Sequence, residues 1–319
     1  MKYQNKILII GCGQIAESFH LPALLKFLPK KNIYLHDINE KNANDLGLCF
    51  GINKFVNNLD LIPEEIDSAI VAVPFQHSFQ ITSLLLSKKI NVLSEKPIAI
   101  TKNQMNALNK LSKENNVVLC GNHTRRFFPS IIKLKTKLKN HKIKEINIFE
   151  GDPFGWDSKS GFYFKGNRGV LLDRGPHVIN IINFLTDFRE LTPFSFKHNS
   201  YNNTSPESHC KIVLKSNDTI IRMIISWVYK LSNEIEIITD KGIFSIGVSS
   251  FNFFSYESGN KKKNITAFPI RTQFGQMSND VIRSFLKEIN HQESNSILST
   301  DIYQSVHLIE DLYNMGERF

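Results

Sequence analysis

The stretch Ile7-Leu8-Ile9-Ile10-Gly11-Cys12-Gly13-Gln14-Ile15-Ala16 limits what this chain can fold into more than any other. A short β-preferring run, Lys6–Ile10, ends on Gly11-x-Gly13-x-x-Ala16, and a helical pattern from Gln14 to about Leu28 follows with Ile15, Phe19, Leu24 and Leu28 on one side. A strand that turns into a helix over two glycines needs Gly11 for the tight turn and Gly13 for close approach of a pyrophosphate. Ala16 then lets the helix pack tightly on the strand. The amides of Gln14 and Ile15 open that helix without intrahelical acceptors and, with the helix dipole, suit phosphate. Asp37 closes the next strand, Asn32–His36, about where the fingerprint places an acidic partner for the adenosine ribose. Its charge would repel a 2′-phosphate, which favours NAD, while Lys41 nearby leaves NADP open. The competing role for Asp37 is a turn or helix-cap carboxylate.

The first ~120 residues continue this strand–helix rhythm, at a unit length that predicts a parallel, doubly wound sheet. Helical segments are expected at Glu40–Leu48, Gln76–Ser87 and from Thr101, as an N-cap, to Asn115. Strands are expected at Asn53–Val56, Ser68–Val73, Ile90–Ser94 and Val117–Gly121. After Gly121 the rhythm changes. A helix over Pro129–Asn140, a strand over Lys144–Gly151 and a helix over Arg174–Leu185 precede a run of strands from Pro193 to about Phe254, and helices over Gln276–Ile289 and Thr300–Met315 close the chain. The expected fold class is therefore α/β: an N-terminal Rossmann domain, 1–121, and a C-terminal α+β domain, 122–319, with a large open-faced, mostly antiparallel sheet.

Two further segments carry chemistry. Val92-Leu93-Ser94-Glu95-Lys96-Pro97 places Glu95, Lys96 and Pro97 where a strand leaves the sheet at its carboxyl edge, the ligand-binding edge of open α/β sheets. A partly desolvated lysine there suits proton transfer, and Pro97 fixes the backbone in a bond open to either isomer. Val71-Ala72-Val73-Pro74-Phe75-Gln76-His77 ends at the same edge, with Pro74 as a wall of the cofactor cleft and His77 capping or lining the next helix. In Gly169–His177, an Asp173 at or just before a helix start puts Asp173, His177 and Asn180 on one face. Val178, Ile181, Ile182 and Leu185 form the adjoining buried stripe. An N-cap aspartate and a core histidine are the structural alternative for that pair.

The glycine loop, the Glu95-Lys96-Pro97 tripeptide and the Asp173/His177 pair together resemble the glucose–fructose oxidoreductase / inositol dehydrogenase (Gfo/Idh/MocA) family over essentially the whole chain. The resemblance implies a Rossmann domain that binds NAD(P) and a second domain whose open sheet joins subunits into a homodimer or homotetramer. It further implies hydride transfer between the nicotinamide and a secondary alcohol or ketone of a sugar, sugar-nucleotide or cyclitol. Lys96, Asp173 and His177 map onto the family's reaction centre. Asn122 and Arg126, in Gly121–Phe127, map onto a segment that reaches the substrate. Two positions depart from the pattern: Asn180 stands where the family often has aspartate, and the usual glycine cluster is thinned to Gly166-Asn167-Arg168-Gly169. Arg168 and Arg174 fit either a clamp on a nucleotide-sugar diphosphate or ordinary surface arginines. Two rival classes share the fold. A non-catalytic dinucleotide-binding regulator has no need of Lys96, Asp173 and His177 together, and an imine or enone reductase gives the last two no role.

Composition narrows the remaining choices. The hydrophobic share of 41% and charged share of 22% are those of an ordinary globular protein. No apolar run approaches the ~20 residues of a membrane span, and Met1–Lys6 opens without a secretory leader, so a cytoplasmic protein with no membrane partner is expected. The net charge of +9 is dispersed. Its one dense run, Lys261-Lys262-Lys263, reads as a solvated hairpin tip, and no nucleic-acid partner is expected. Four scattered cysteines, without a zinc-type spacing, predict reduced thiols and no metal site.

Overall fold

The structure is a computed structural model that describes residues 3–153, 168–187, 190–201, 206–291 and 299–318. The chain forms two compact units, Met1–Thr124 with Gln273–Tyr303, and Arg125–Thr272 with Gln304–Phe319.

Five short parallel strands make the sheet of the first unit: β1 (Ile7–Ile10), β2 (Ile33–His36), β3 (Ser68–Val71), β4 (Asn91–Ser94) and β5 (Leu119–Gly121), in the order β2-β1-β3-β4-β5. Every residue of β1 and β3 is buried, the pattern of strands covered on both faces. The direction of winding reverses between β1 and β3, and connections leaving on opposite faces open a crevice at that carboxyl edge.

The first helix departs from the expected continuous run to Leu28. A π-helical turn, Ala16–His20, leads into the short α1 (Leu21–Leu24). The Leu21 amide bonds back to Ala16, and Pro22, which has no amide to give, follows at once. The wider turn removes the demand for the hydrogen bond that proline cannot make. The expected strand Asn53–Val56 is reduced to one parallel bridge between Leu35 and Phe55. The asparagines around that single apolar pair have low strand preference.

Helix α2 (Glu40–Phe50) starts on the Asn39 side chain and stops at Gly51, in the left-handed region at φ 69°. Helices α3 (Phe75–Ser87) and α4 (Lys102–Glu114) follow, the latter capped by Thr101 as its sequence predicts.

In the second unit, α5 (Pro129–Leu138) and α6 (Val170–Thr186) accompany a nine-stranded sheet. Its strands are β6 (Ile143–Gly151), β7 (Thr192–Ser200), β8 (Glu207–Ser216), β9 (Thr219–Ser226), β10 (Glu234–Thr239), β11 (Ile243–Gly247), β12 (Phe253–Ser258), β13 (Lys261–Thr266) and β14 (Glu317–Arg318). They run in the order β13-β12-β11-β10-β6-β9-β8-β7-β14, antiparallel except for β6/β9 and β7/β14. Along β8 the buried Cys210, Ile212 and Leu214 alternate with the exposed Lys211 and Lys215, so one face carries α6 and the other is open.

Lys261–Lys263 belong to the edge strand β13, not to a loop tip; the turn is at Gly259, φ 57°. Three lysines on an edge strand discourage pairing with another chain.

Two helices follow the sheet, α7 (Gly275–Ile289) and α8 (Ser299–Met315). A single boundary near 121 assigns α7 to the second domain, yet it packs on α1 and the π-helical turn of the first unit, burying Met277, Val281, Ile282, Phe285 and Leu286. Its apolar stripe shows in sequence that it must pack, but not against what. Among the described residues no helix is long and apolar enough to cross a membrane.

Phe285 is fully buried, so Phe285→Ala is expected to cost about 3–5 kcal/mol in urea unfolding. A loss under about 1 kcal/mol, the level of ordinary surface changes, would mean that α7 is not integral to its unit.

Candidate active site

In the first unit the carboxyl ends of β1, β3 and β4 bring three loops to one edge. Gly11, at φ 92°, donates its amide to the His36 carbonyl at 2.9 Å. A Cβ on Gly11 would collide with the Ala72 carbonyl at the exit of β3, so only glycine fits. Gly13 differs: among the described residues, its own chain neighbours aside, nothing lies within 4 Å of where its Cβ would be. The space beside it, with Gln14 and Ile15 exposed at the helix start and Ala16 buried against the sheet, fits a dinucleotide pyrophosphate.

Asp37 does more than end β2. Its carboxylate accepts from the Cys12 amide at 2.8 Å, the Asn39 amide at 2.8 Å and the Asn42 side chain at 3.3 Å. It therefore clasps the glycine loop. A carboxylate has about four acceptor positions, so one is still available for a ribose hydroxyl. Burial first, and then the Asp37 charge, push the Cys12 thiol up to about 12, which makes it an inert packing group. Pro74 and His77 are exposed at the start of α3, where the His77 amide bonds to the Pro74 carbonyl at 2.9 Å.

The Glu95 amide donates to the Val71 carbonyl at 2.8 Å, the Lys96–Pro97 bond is cis, and Lys96 is half-buried. The Glu95 carboxylate lies 2.8 Å from His20 Nε2 and accepts from the Asn122 amide group at 2.6 Å. Thr124 holds the other end of Asn122 at 3.0 Å. Burial alone would raise the Glu95 carboxyl. The His20 bond and charge, Asn122 and the Lys96 charge outweigh burial and hold it below its ordinary value. Asn122, expected from sequence at the substrate, thus belongs to the brace beside Lys96.

In the second unit α6 begins four residues earlier than expected, with Gly169 as the residue before its first turn. Asp173 is therefore inside the first turn and is not an N-cap; its amide bonds to the Gly169 carbonyl at 3.1 Å. The buried Trp227 indole donates to Asp173 Oδ2 at 3.2 Å. Asp173 and His177 are half-buried and one turn apart, and Asn180, one turn further on, is buried.

Arg126 is buried as well, its Nε donating to Asn180 Oδ1 at 2.5 Å and its guanidinium 5.4 Å from the Phe184 ring. The structure thus places Arg126 as a support for α6. Arg125 grips both oxygens of the buried Glu150 at 2.8 and 2.7 Å. Although burial works against its charge, the Glu150 hydrogen bond and charge, followed by Asp173, raise the Arg125 pKa. Arg174, beside Asp173, stands 3.8 Å from Glu150, beyond hydrogen-bonding distance. Arg168 lies 4.1 Å above the Tyr313 ring, and Gly166 and Asn167 fall outside the described residues. No cluster of three metal-ligating side chains occurs among the described residues.

Sequence reasoning passed over His20, Arg125, Glu150, Trp227 and Tyr313. Of these, Glu150 left a signal: it falls in the buried phase of β6 after Ile146 and Ile148, where a carboxylate needs a partner.

Residues 5–123 match the family model described as an oxidoreductase family with an NAD-binding Rossmann fold, GFO_IDH_MocA. That match lies wholly within the first unit. It is 27% identical over 195 residues to a glucose-6-phosphate 3-dehydrogenase of Bacillus subtilis, covering 57% of this chain and 53% of that protein. To an NADP⁺-dependent scyllo-inositol 2-dehydrogenase of the same organism it is 24% identical over 185 residues, covering 55% and 50%. The matches thus span about half the length of these curated relatives. The fold is shared along the whole chain with KijD10, a 3-ketoreductase from Actinomadura kijaniata in complex with NADP and TDP-benzene (TM-score 0.85, 16% identity, 99% of each chain). An Agrobacterium radiobacter oxidoreductase in complex with NAD⁺, L-tartaric acid and magnesium is similarly alike in fold (TM-score 0.84, 17% identity, 98% of this chain and 96% of that one).

The lowered Glu95 pKa has a direct consequence. Its ionised form contributes stability that is present above the ordinary value of 4.5 and lost as pH falls through the folded value. Thermal melts of Glu95→Gln are expected to fall less steeply than wild type below pH 4.5. Equal slopes would mean that this carboxyl is not held in its ionised form.

Proposed function

We propose that this chain is a Gfo/Idh/MocA-type, NAD(P)-dependent dehydrogenase acting on a secondary alcohol, or the matching ketone, of a sugar, sugar-nucleotide or cyclitol. The observation that carries it is the braced Glu95-Lys96-Pro97 turn at the sheet edge that also holds the open Gly13 loop: a mere dinucleotide carrier needs the loop but not a half-buried lysine beside it. The sugar dehydrogenase and inositol dehydrogenase among the relatives support the substrate class, and family analogy supplies the pairing of Lys96 with Asp173 and His177.

Gly11, Gly13, Gln14, Ile15, Ala16 and Asp37 hold the dinucleotide, with Pro74, His77 and the Glu95–Pro97 turn lining its path. Bound nicotinamide supplies the hydride acceptor or donor. In the oxidative direction His177 takes the hydroxyl proton. Lys96 hydrogen-bonds the reacting oxygen and offsets its developing negative charge. Asp173, fixed by the Trp227 indole, orients the substrate and tunes both bases, with Arg174 beside it; Asn122 acts through the Glu95 brace. NAD is favoured because a 2′-phosphate would meet the Asp37 charge. The half-buried Phe149, Ile220 and Ile224 on the open face of the large sheet suit a homodimer or homotetramer.

Nicotinamide absorbance with NAD⁺ or NADP⁺ and a panel of sugar phosphates, nucleotide hexoses and inositols tests this proposal. Lys96→Met and His177→Ala are each expected to lower turnover by about 10²–10⁴-fold with NADH affinity within twofold of wild type, roughly 0.4 kcal/mol. Turnover surviving both substitutions would sink the assignment. Tight NADH binding with no turnover on any panel member would favour a dinucleotide-binding regulator.

A further inference from the structure

The helix that carries Asp173 and His177 is poorly secured by its own backbone. Its amino terminus has no side-chain cap, because Gly169 occupies that position. Pro176, inside the helix, has no amide to give to Leu172. The first two turns therefore lack both a local cap and an interior hydrogen bond, and they are the turns that hold the reacting pair.

The missing acceptor comes from β8. The buried Glu207 carboxylate takes the Gly169 amide at 2.8 Å and the Leu171 amide at 3.2 Å, both on Oε1. The Tyr313 hydroxyl of α8 donates to the same oxygen at 2.5 Å, and the Arg168 guanidinium covers the Tyr313 ring. The backbone is pressed close enough that a Cβ on Gly169 would overlap the Glu207 carbonyl. The next residue closes the circuit: the Ser208 carbonyl accepts the Trp227 amide at 2.8 Å, and the Trp227 indole holds Asp173. Two consecutive residues of β8 thus fix α6 from its end and Asp173 from its side.

We infer that Glu207 is a positioning residue for the reaction pair, a distant cap that sets where Asp173 and His177 stand, with Tyr313 holding that cap in place. This rests on the proposed role of the pair. It also excludes the α6 amino terminus as a phosphate site for substrate, since a protein carboxylate already fills it.

The test is amide hydrogen exchange across Gly169–Gly175, together with the NMR titration of the His177 imidazole and Trp227 emission in a Trp156→Phe background. Glu207→Ala is expected to speed exchange of the Leu171–Asp173 amides about tenfold, the effect of losing a cap, and to move the His177 midpoint and the Trp227 emission, while protection in β10–β13 stays unchanged. Glu207→Gln, which keeps an acceptor oxygen, should recover most of the protection, and Tyr313→Phe should show a smaller change at the same amides. Unchanged exchange and an unchanged His177 titration in Glu207→Ala would overturn the inference. Exchange rising equally in every strand would overturn it too, by showing only global destabilisation. If Glu207→Ala does not fold, Tyr313→Phe decides by the same local criterion. None of these readouts needs turnover, so a failure of the dehydrogenase assignment, seen with Lys96→Met and His177→Ala, is distinguishable from a failure of the clamp.

Discussion

The parallel alignment of β1, β3 and β4 is the constraint on which the first unit depends. With Ile10 opposite Val71, and Val71 opposite Ser94, the three strands run out of apolar sequence at the same level. The chain then emerges three times at one edge, as Gly11, Ala72–Pro74 and Glu95–Pro97. Parallel strands require crossover helices, and the helices require glycine where backbones converge. Gly11 is therefore a packing residue first, since a side chain there would push β1 off β3. Gly13 has no such duty, and its bareness suits the dinucleotide proposed to bind beside it.

Carboxylates recur as structural clasps in both units. Asp37 closes the glycine loop, Glu95 is gripped by His20 and Asn122, Glu150 is forked by Arg125, and Glu207 ends α6. In each case a backbone or side-chain donor answers a group that would be costly to bury alone. The balance differs with the partner. Charged and amide donors hold the Glu95 pKa down, whereas burial prevails at Glu207 despite its hydrogen bonds and pushes its carboxyl up. The Tyr313 hydroxyl beside it is pushed well above the usual phenol range by burial and the Glu207 charge.

The sequence was most legible where one chemical pattern determined one local outcome. Apolar strand, two glycines and helix announced the tight turn out of β1, Thr101 announced α4, and alternation announced the open-faced sheet. Expectations missed where the outcome depended on distant partners. The N-cap alternative for Asp173 failed because the helix starts earlier, and the group that holds its end, Glu207, is 38 residues away from the Gly169 amide. Arg126, which the resemblance sets in a segment that reaches the substrate, is engaged by Asn180 and Phe184, partners that no local pattern names. The return of α7 to the first unit had no local signature, because amphipathic periodicity specifies a face and not its partner. Lys261–Lys263 resembled a loop by charge alone, although an edge strand tolerates the same residues.

The most direct test of the account is NADH binding, followed by nicotinamide fluorescence, in wild type and in Gly13→Val. Because the Cβ direction at Gly13 is open in the protein, the variant should fold with an unchanged melting temperature. The account predicts saturable NADH binding by wild type and its loss in the variant, since the valine side chain would fill the space meant for the pyrophosphate. NADH binding of equal affinity in a well-folded Gly13→Val protein would contradict the placement of the dinucleotide, and with it the proposed site.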